Sequence, residues 1–101
     1  MLAAAITDRL DDLHRFCRSR GVRRMAVFGS ATGPDFHAGS DIDLLVEFDA
    51  QARVSLFDIA EMRAELETLL GRAVDLVTPA ILRNPFRART ILRSIEPIYA
   101  A

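Results

Sequence analysis

Apolar residues near the start of the chain recur at steps of three and four positions, which is the spacing of one face of a helix. This stripe consists of Leu2, Ile6, Leu10, Leu13 and Cys17. Gly21 follows at the position where helices commonly end in a left-handed residue. We therefore predict one helix over residues 3–20.

Three later stretches have the shorter pattern of β-strands. Residues 22–28 form a brief apolar run between two glycines, and residues 41–48 alternate apolar and polar side chains. Residues 73–77 form a third run, Ala-Val-Asp-Leu-Val. The loop over residues 31–40 is rich in glycine and proline, so we expect at most a short helical turn in it.

A second helix is predicted between the second and third strands. Ser55, with Asp58 three residues later, has the pattern of a capping box, and Gly71 ends the segment. The expected buried stripe of this helix is Leu56, Ile59, Met62, Leu66 and Leu69.

The end of the chain is predicted to be mostly helical. Thr78 and Pro79 indicate one turn of helix after the third strand, and residues 86–95 a final helix. Ile98 and Tyr99 are then left to pack near the C-terminus.

The composition limits the class of protein. A chain of 101 residues, half of them hydrophobic, suits a single domain over residues 1–101. The net charge of −1 gives no overall basic field, so we expect no extended nucleic-acid surface. Cys17 is the only cysteine, which excludes an intrachain disulfide. The N-terminal residues resemble neither a signal peptide nor a membrane span, so we expect a cytoplasmic protein.

The candidate chemistry lies between the first two strands. Gly29 and Ser30 follow the first strand, ten residues intervene, and Asp41 and Asp43 then open the second strand. Alternation along a strand puts these two carboxylates on one face, where they repel each other unless a cation lies between them. A hard divalent metal is the usual cation, and a metal beside a Gly-Ser turn indicates phosphate chemistry.

Asp75, in the third apolar run, is the third candidate carboxylate. If its strand neighbours the second, two metal ions could clamp the oxygens of a phosphoryl or nucleotidyl transfer. Asp41 and Asp43 would hold the ions that carry the nucleotide. Asp75 would complete the second ion or serve as general base. Gly29 would let the triphosphate approach the backbone, and Ser30 would offer its N–H and hydroxyl.

Each part of this pattern also has an ordinary structural explanation. Acidic pairs at strand ends are commonly solvated or cap turns, and a Gly-Ser pair alone indicates little. The combination of strand, Gly-Ser, loop, acidic strand and a third acid after a helix is harder to obtain by chance. It favours a metal-dependent nucleotide site.

These residues resemble the DNA polymerase β-like nucleotidyltransferase superfamily, whose signature is Gly-Ser, ten residues and Asp-x-Asp. The chain is most similar to the minimal nucleotidyltransferase (MNT) antitoxins, which pair with HEPN-domain toxins. The segments that match are Ser40-Asp41-Ile42-Asp43-Leu44, Ser55-Leu56-Phe57-Asp58 and Val74-Asp75-Leu76-Val77. The resemblance implies an α/β (α+β) fold, with a small mixed β-sheet flanked by helices. It also implies that Gly29 and Ser30 contact the nucleotide and that Asp41, Asp43 and Asp75 bind magnesium.

One segment departs from the family pattern. The family usually continues Gly-Ser with Arg-Ala-Arg-Gly, whereas this chain has Ala31-Thr32-Gly33-Pro34. Arginines near a triphosphate make charge-assisted contacts to its oxygens. The arginines that could replace them are Arg83, Arg87, Arg89 and Arg93, for which a solvated helix face is the competing explanation.

The resemblance implies a magnesium-dependent enzyme, with two ions, that transfers AMP from ATP to a tyrosine of a partner HEPN toxin. A single domain of this length leaves no room for the helical acceptor domain of larger nucleotidyltransferases, so we expect a partner to supply the acceptor surface. Two alternatives stay open. One is an antitoxin that neutralises its toxin by binding alone, and the other is a dimeric small-molecule nucleotidyltransferase.

Overall fold

Four β-strands form one mixed sheet in the computed structural model, which describes residues 2–101. The strands are β1 (Val22–Phe28), β2 (Ile42–Phe48), β3 (Val74–Val77) and β4 (Glu96–Ala100). Their order across the sheet is β3-β2-β1-β4. β1 is antiparallel to both β2 and β4, whereas β2 and β3 are parallel. The predicted small mixed sheet is therefore confirmed.

β4 was not predicted as a strand. Pro97 lies inside it, and proline cannot donate a hydrogen bond to a neighbouring strand. The structure places β4 at an edge of the sheet, where only one side needs pairing. A proline is tolerated there, and Ile98 and Tyr99 pack against the core from within the sheet.

The helices are α1 (Ala4–Thr7), α2 (Leu10–Ser19), α3 (Leu56–Leu70) and α4 (Pro85–Ser94). Two 3₁₀ turns, Gly29–Thr32 and Pro79–Arg83, follow β1 and β3. The prediction of one helix over residues 3–20 is wrong, because Arg9 leaves helical geometry at φ −121° and ψ 13°. The Ala3 N–H donates to the Ala31 carbonyl at 2.9 Å, so a tertiary contact fixes the direction of α1.

α3 begins and ends as predicted. The Ser55 hydroxyl accepts from the Asp58 N–H at 3.1 Å, and the Asp58 carboxylate accepts from the Ser55 N–H at 2.9 Å. Gly71 ends the helix in the left-handed region at φ +67°. One member of the predicted stripe is wrong, because Leu56 is exposed; Leu69 packs against the core but is less buried than Leu70.

The main core lies between one face of the sheet and helices α2 and α3. Alternate residues of each strand face it, as the period of a strand requires. Its central members are Leu13, Cys17, Met25, Val27, Ile42, Leu44, Val46, Met62 and Leu66. The opposite face of β1 and β2 is contacted by α4 and by the Pro79–Arg83 turn. Within the described residues, no helix is long and apolar enough to cross a membrane.

Candidate active site

The parallel pairing of β2 with β3 brings two of the candidate carboxylates together. Asp43 and Asp75 are register partners in this ladder, and Phe28, which precedes Gly29, is the partner of Asp43 across β1. Register partners project from the same face of a sheet, so these two carboxylates lie side by side. Asp41 immediately precedes β2, two residues from Asp43. All the candidate site residues therefore lie at one end of neighbouring strands.

Electrostatics at this end of the sheet centre on Asp43. Burial raises the pKa of its carboxyl group, and the charges of Asp75 and Asp41 raise it further. The guanidinium of Arg87 acts in the opposite direction, and its Nη2 lies 3.5 Å from Asp75 Oδ2. Asp43 and Asp75 thus share the charge of Arg87, and the site would gain from additional positive charge.

The carboxylates suit magnesium by their chemistry, since hard oxygen ligands are what this ion prefers. They are not gathered around one point: among the described residues, no three His, Cys, Asp or Glu side chains converge as ready-made metal ligands. Asp43 and Asp75 are adjacent, and the side chains of Asp41 and Asp75 are exposed, so both can turn toward Asp43. The donor set therefore fits the ion in kind.

Gly29 occupies a position that no other residue would fill well. Its φ is +74°, in the left-handed region, and a Cβ there would lie 2.2 Å from Asp43 Oδ2. Its N–H donates to the Ser94 hydroxyl at 2.9 Å, so it is already engaged. The Gly29 N–H therefore bonds to α4 within the protein.

Burial accounts for the departure from the family pattern at position 31 but not at position 33. Ala31, where an arginine is usual, is fully buried in the core. An arginine at this position would place its guanidinium in an apolar environment, which is energetically costly for a charged group. Thr32 closes the turn by donating from its hydroxyl to the Gly29 carbonyl at 2.8 Å. Gly33 is exposed, and a Cβ added to it would meet nothing within 4 Å.

Arg72 holds the loop that leads into Asp41. Its Nη1 donates to the carbonyls of His37, Ala38 and Ser40 at 2.9, 3.3 and 3.3 Å. The same guanidinium lies 4.3 Å from the centroid of the Phe36 ring. Sequence reasoning missed this residue, because its partners lie more than 30 positions away along the chain.

A cleft of about 610 Å³ opens beside the Gly29–Ser30 turn. On one side lie Gly29, Ser30, Thr32, Gly33 and Asp35, and on the other Thr90, Arg93, Ser94, Ile95 and Glu96. Of these residues, Gly29 and Ser30 were predicted as part of the site, and Arg93 was one of the four arginines considered as replacements. The contribution of α4 has no local signature, because Ser94 is 65 residues from its partner Gly29.

The four arginines considered as replacements differ in their position relative to the candidate site. Arg87 pairs with Asp75 at one end of the site, and Arg93 lines the cleft at the other. Arg83 and Arg89 are exposed and are not among the residues that line the cleft. For these two, the solvated helix face considered from the sequence matches what the structure shows.

Comparison with known proteins gives a consistent result. A family model described as a nucleotidyltransferase domain matches residues 10–97. The chain is 40% identical over 75 residues to the protein adenylyltransferase MntA of Thermococcus cleftensis, which covers 74% of this chain and 73% of that protein.

Solved structures share the architecture. One, described as a minimal nucleotidyltransferase, superposes with a TM-score of 0.74 at 33% identity, covering 96% of each chain. Another, a toxin–antitoxin complex with AMP-PNP, superposes with a TM-score of 0.72 and covers 91% of this chain and 73% of that one. Its identity of 20% shows a shared fold alone.

Proposed function

Because the chain belongs to the nucleotidyltransferase domain family, we propose that it transfers AMP from ATP to a hydroxyl of a partner protein. The observation that carries the proposal is the register of β2 and β3, which pairs Asp43 with Asp75 beside the Gly29–Ser30 turn. Carboxylates next to a turn that admits phosphate are the parts that nucleotidyl transfer requires.

In this proposal, Asp41, Asp43 and Asp75 would hold the magnesium ions. Bound magnesium would neutralise the carboxylates and draw negative charge from the phosphates of ATP. Ser30 binds a phosphate oxygen through its N–H and hydroxyl.

The acceptor oxygen forms a bond to the α-phosphorus of ATP, and the bond from that phosphorus to the pyrophosphate oxygen breaks. Pyrophosphate leaves with the electrons of the broken bond. The hydroxyl proton passes to the Asp75 carboxylate, whose exposed position at the edge of the sheet lets an acceptor reach it.

We further propose that the acceptor is a tyrosine of a HEPN-domain toxin and that the chain acts as its antitoxin. A relative is named as a protein adenylyltransferase, and structural neighbours are toxin–antitoxin complexes. One such complex is described as a tri-AMPylated HEPN toxin of Shewanella oneidensis with its MNT antitoxin. The phenol of tyrosine is an acceptor whose proton a carboxylate can help remove.

The experiment is co-expression of the chain with the product of the gene adjacent to its own, followed by intact mass measurement with ATP and magnesium. We expect the partner to gain the mass of one or more AMP groups. Asp43→Asn should abolish the gain, and Asp11→Asn, an exposed acid on α2, should leave it unchanged. No added mass on the partner with the unaltered chain would refute the proposal.

The second candidate function is neutralisation by binding alone, and the specific observation in its favour is the buried Ala31 where an arginine is usual. In this case a variant lacking both Asp41 and Asp43 would still protect cells from the toxin. Loss of protection in that variant, with the complex still formed, would decide for catalysis.

A further inference from the structure

Arg93 is held close to the Gly29–Ser30 turn by the residue that follows it. The Ser94 hydroxyl accepts a hydrogen bond from the Gly29 N–H at 2.9 Å and also donates to the Thr90 carbonyl at 3.4 Å. These bonds fix the last turn of α4 against the turn that follows β1. Arg93, in that last turn, lines the same cleft as Gly29 and Ser30.

The charge of the cleft depends on this arginine. The other charged residues that line it are Asp35 and Glu96, so Arg93 is its one cation among the described residues. No carboxylate in the part of the chain described by the structure forms an ion pair with Arg93. Without Arg93, none of the described residues that line the cleft would offer a positive charge to a polyphosphate.

We propose that Arg93 binds the β- and γ-phosphates of the nucleotide, in place of the arginines that the family pattern puts after Gly-Ser. This inference rests on the proposed nucleotidyltransferase function. A guanidinium offers paired donors that match phosphate oxygens, and its charge strengthens each bond. The fold accounts for the missing arginine at position 31, because the buried Ala31 leaves no room for a charged side chain there, whereas position 33 is open.

The other arginines do not meet these conditions. Arg87 is committed to Asp75, and Arg83 and Arg89 lie outside the cleft. Arg89 is on the same helix as Arg93 and is also exposed. Replacing either one removes one charge from α4, so Arg89 provides a control for the general effect of charge on ATP binding.

The test is ATP affinity by isothermal titration calorimetry with magnesium, using the full chain and Arg93→Gln and Arg89→Gln variants. We expect Arg93→Gln to weaken ATP binding about tenfold, the effect of losing one charge-assisted contact at an exposed site. Arg89→Gln should change it less than twofold. AMP binding should be nearly the same in all three proteins, because AMP lacks the β- and γ-phosphates.

A second variant provides a rescue. Gly33 lines the same cleft, has extended backbone at φ −136°, and has open space around its Cβ position. Gly33→Arg in the Arg93→Gln background should recover most of the lost ATP affinity. Since this recovery requires a folded protein, it also excludes misfolding as the reason for the loss.

The outcomes separate this inference from the proposed function. If the unaltered chain binds no ATP, the proposed function itself fails. If it binds ATP and Arg93→Gln binds equally well, the role of Arg93 is wrong and the function stands. Equal weakening of ATP and AMP would place Arg93 at the α-phosphate or nucleoside and would also overturn the inference.

Discussion

At the scale of single residues, Asp43 lies on the half-buried face of β2, where burial and the charges of Asp75 and Asp41 raise its pKa above the ordinary value of 3.8. A raised pKa in the folded state means that the folded protein holds the proton more tightly than the unfolded chain does. The stability that this proton contributes is present below pH 3.8 and is lost as pH rises through the folded-state pKa. At neutral pH the ionised carboxylate therefore opposes folding.

Asp43→Asn should consequently stabilise the protein at pH 7 in the absence of magnesium, because it removes a charge that its neighbours repel. We expect the midpoint of thermal unfolding to rise by a few degrees while AMP transfer is lost. Asp11→Asn, on the exposed side of α2, should leave both unchanged. A lower midpoint for Asp43→Asn would show that the charge repulsion at this site is not significant.

Gly29 provides a second prediction at this scale. Gly29→Ala should cost about 1–2 kcal/mol of unfolding free energy, because an L-residue is strained at φ +74°. The added methyl group would also meet the Asp43 carboxylate, so AMP transfer should fall more than stability alone explains. Denaturant unfolding and the partner mass assay measure the two effects. The control is Gly71→Ala at the end of α3, where φ is a similar +67° but a Cβ meets nothing; an equal fall of AMP transfer in the two variants would contradict this account.

At the scale of elements, sequence patterns correctly predicted the helix ends and strands that depend on interactions between neighbouring residues. The capping box of Ser55 and Asp58, the end of α3 at Gly71 and the three strands that carry or precede the site were all found. Each of these depends on residues close together along the chain. The family assignment, which rested on such short segments, is confirmed as well.

The elements that sequence reasoning missed depend on distant partners. β4 forms because it can pair with the edge of β1. Pro97 makes the sequence of this segment atypical of a strand, so the pattern alone does not predict it. The break at Arg9 accompanies a bond between Ala3 and Ala31, which no periodicity reveals. Likewise, Ser94 and Arg72 reach the candidate site through long-range hydrogen bonds. Ser94 is 65 residues from its partner Gly29, and Arg72 is more than 30 residues from the carbonyls that it binds. Sequence spacing predicted the candidate carboxylates, two of which the sheet pairs, but not the contacts of Ser94 and Arg72 around them.

At the scale of the whole molecule, α4 lies over the face of the sheet opposite the main core, with Arg87 beside the carboxylates at one end and Arg93 in the cleft at the other. An acceptor hydroxyl must come within bonding distance of the α-phosphate near those carboxylates. A partner protein that supplies it must therefore approach the N-terminal end of α4. Phe86, which is 79% exposed, lies there directly before Arg87.

We therefore expect Phe86→Ser to weaken the complex with the partner at least tenfold, because exposed aromatic side chains are frequent binding hot spots. Phe57, 88% exposed in the first turn of α3, is the matched control. α3 is about 22 Å long, and β3 with Asp75 follows its far end. Phe57→Ser should therefore have little effect on the same binding measurement, and both variants should bind ATP normally. A complex weakened by Phe57→Ser and not by Phe86→Ser would mean that the partner docks at the other end of the molecule, too far away to present its tyrosine to this site.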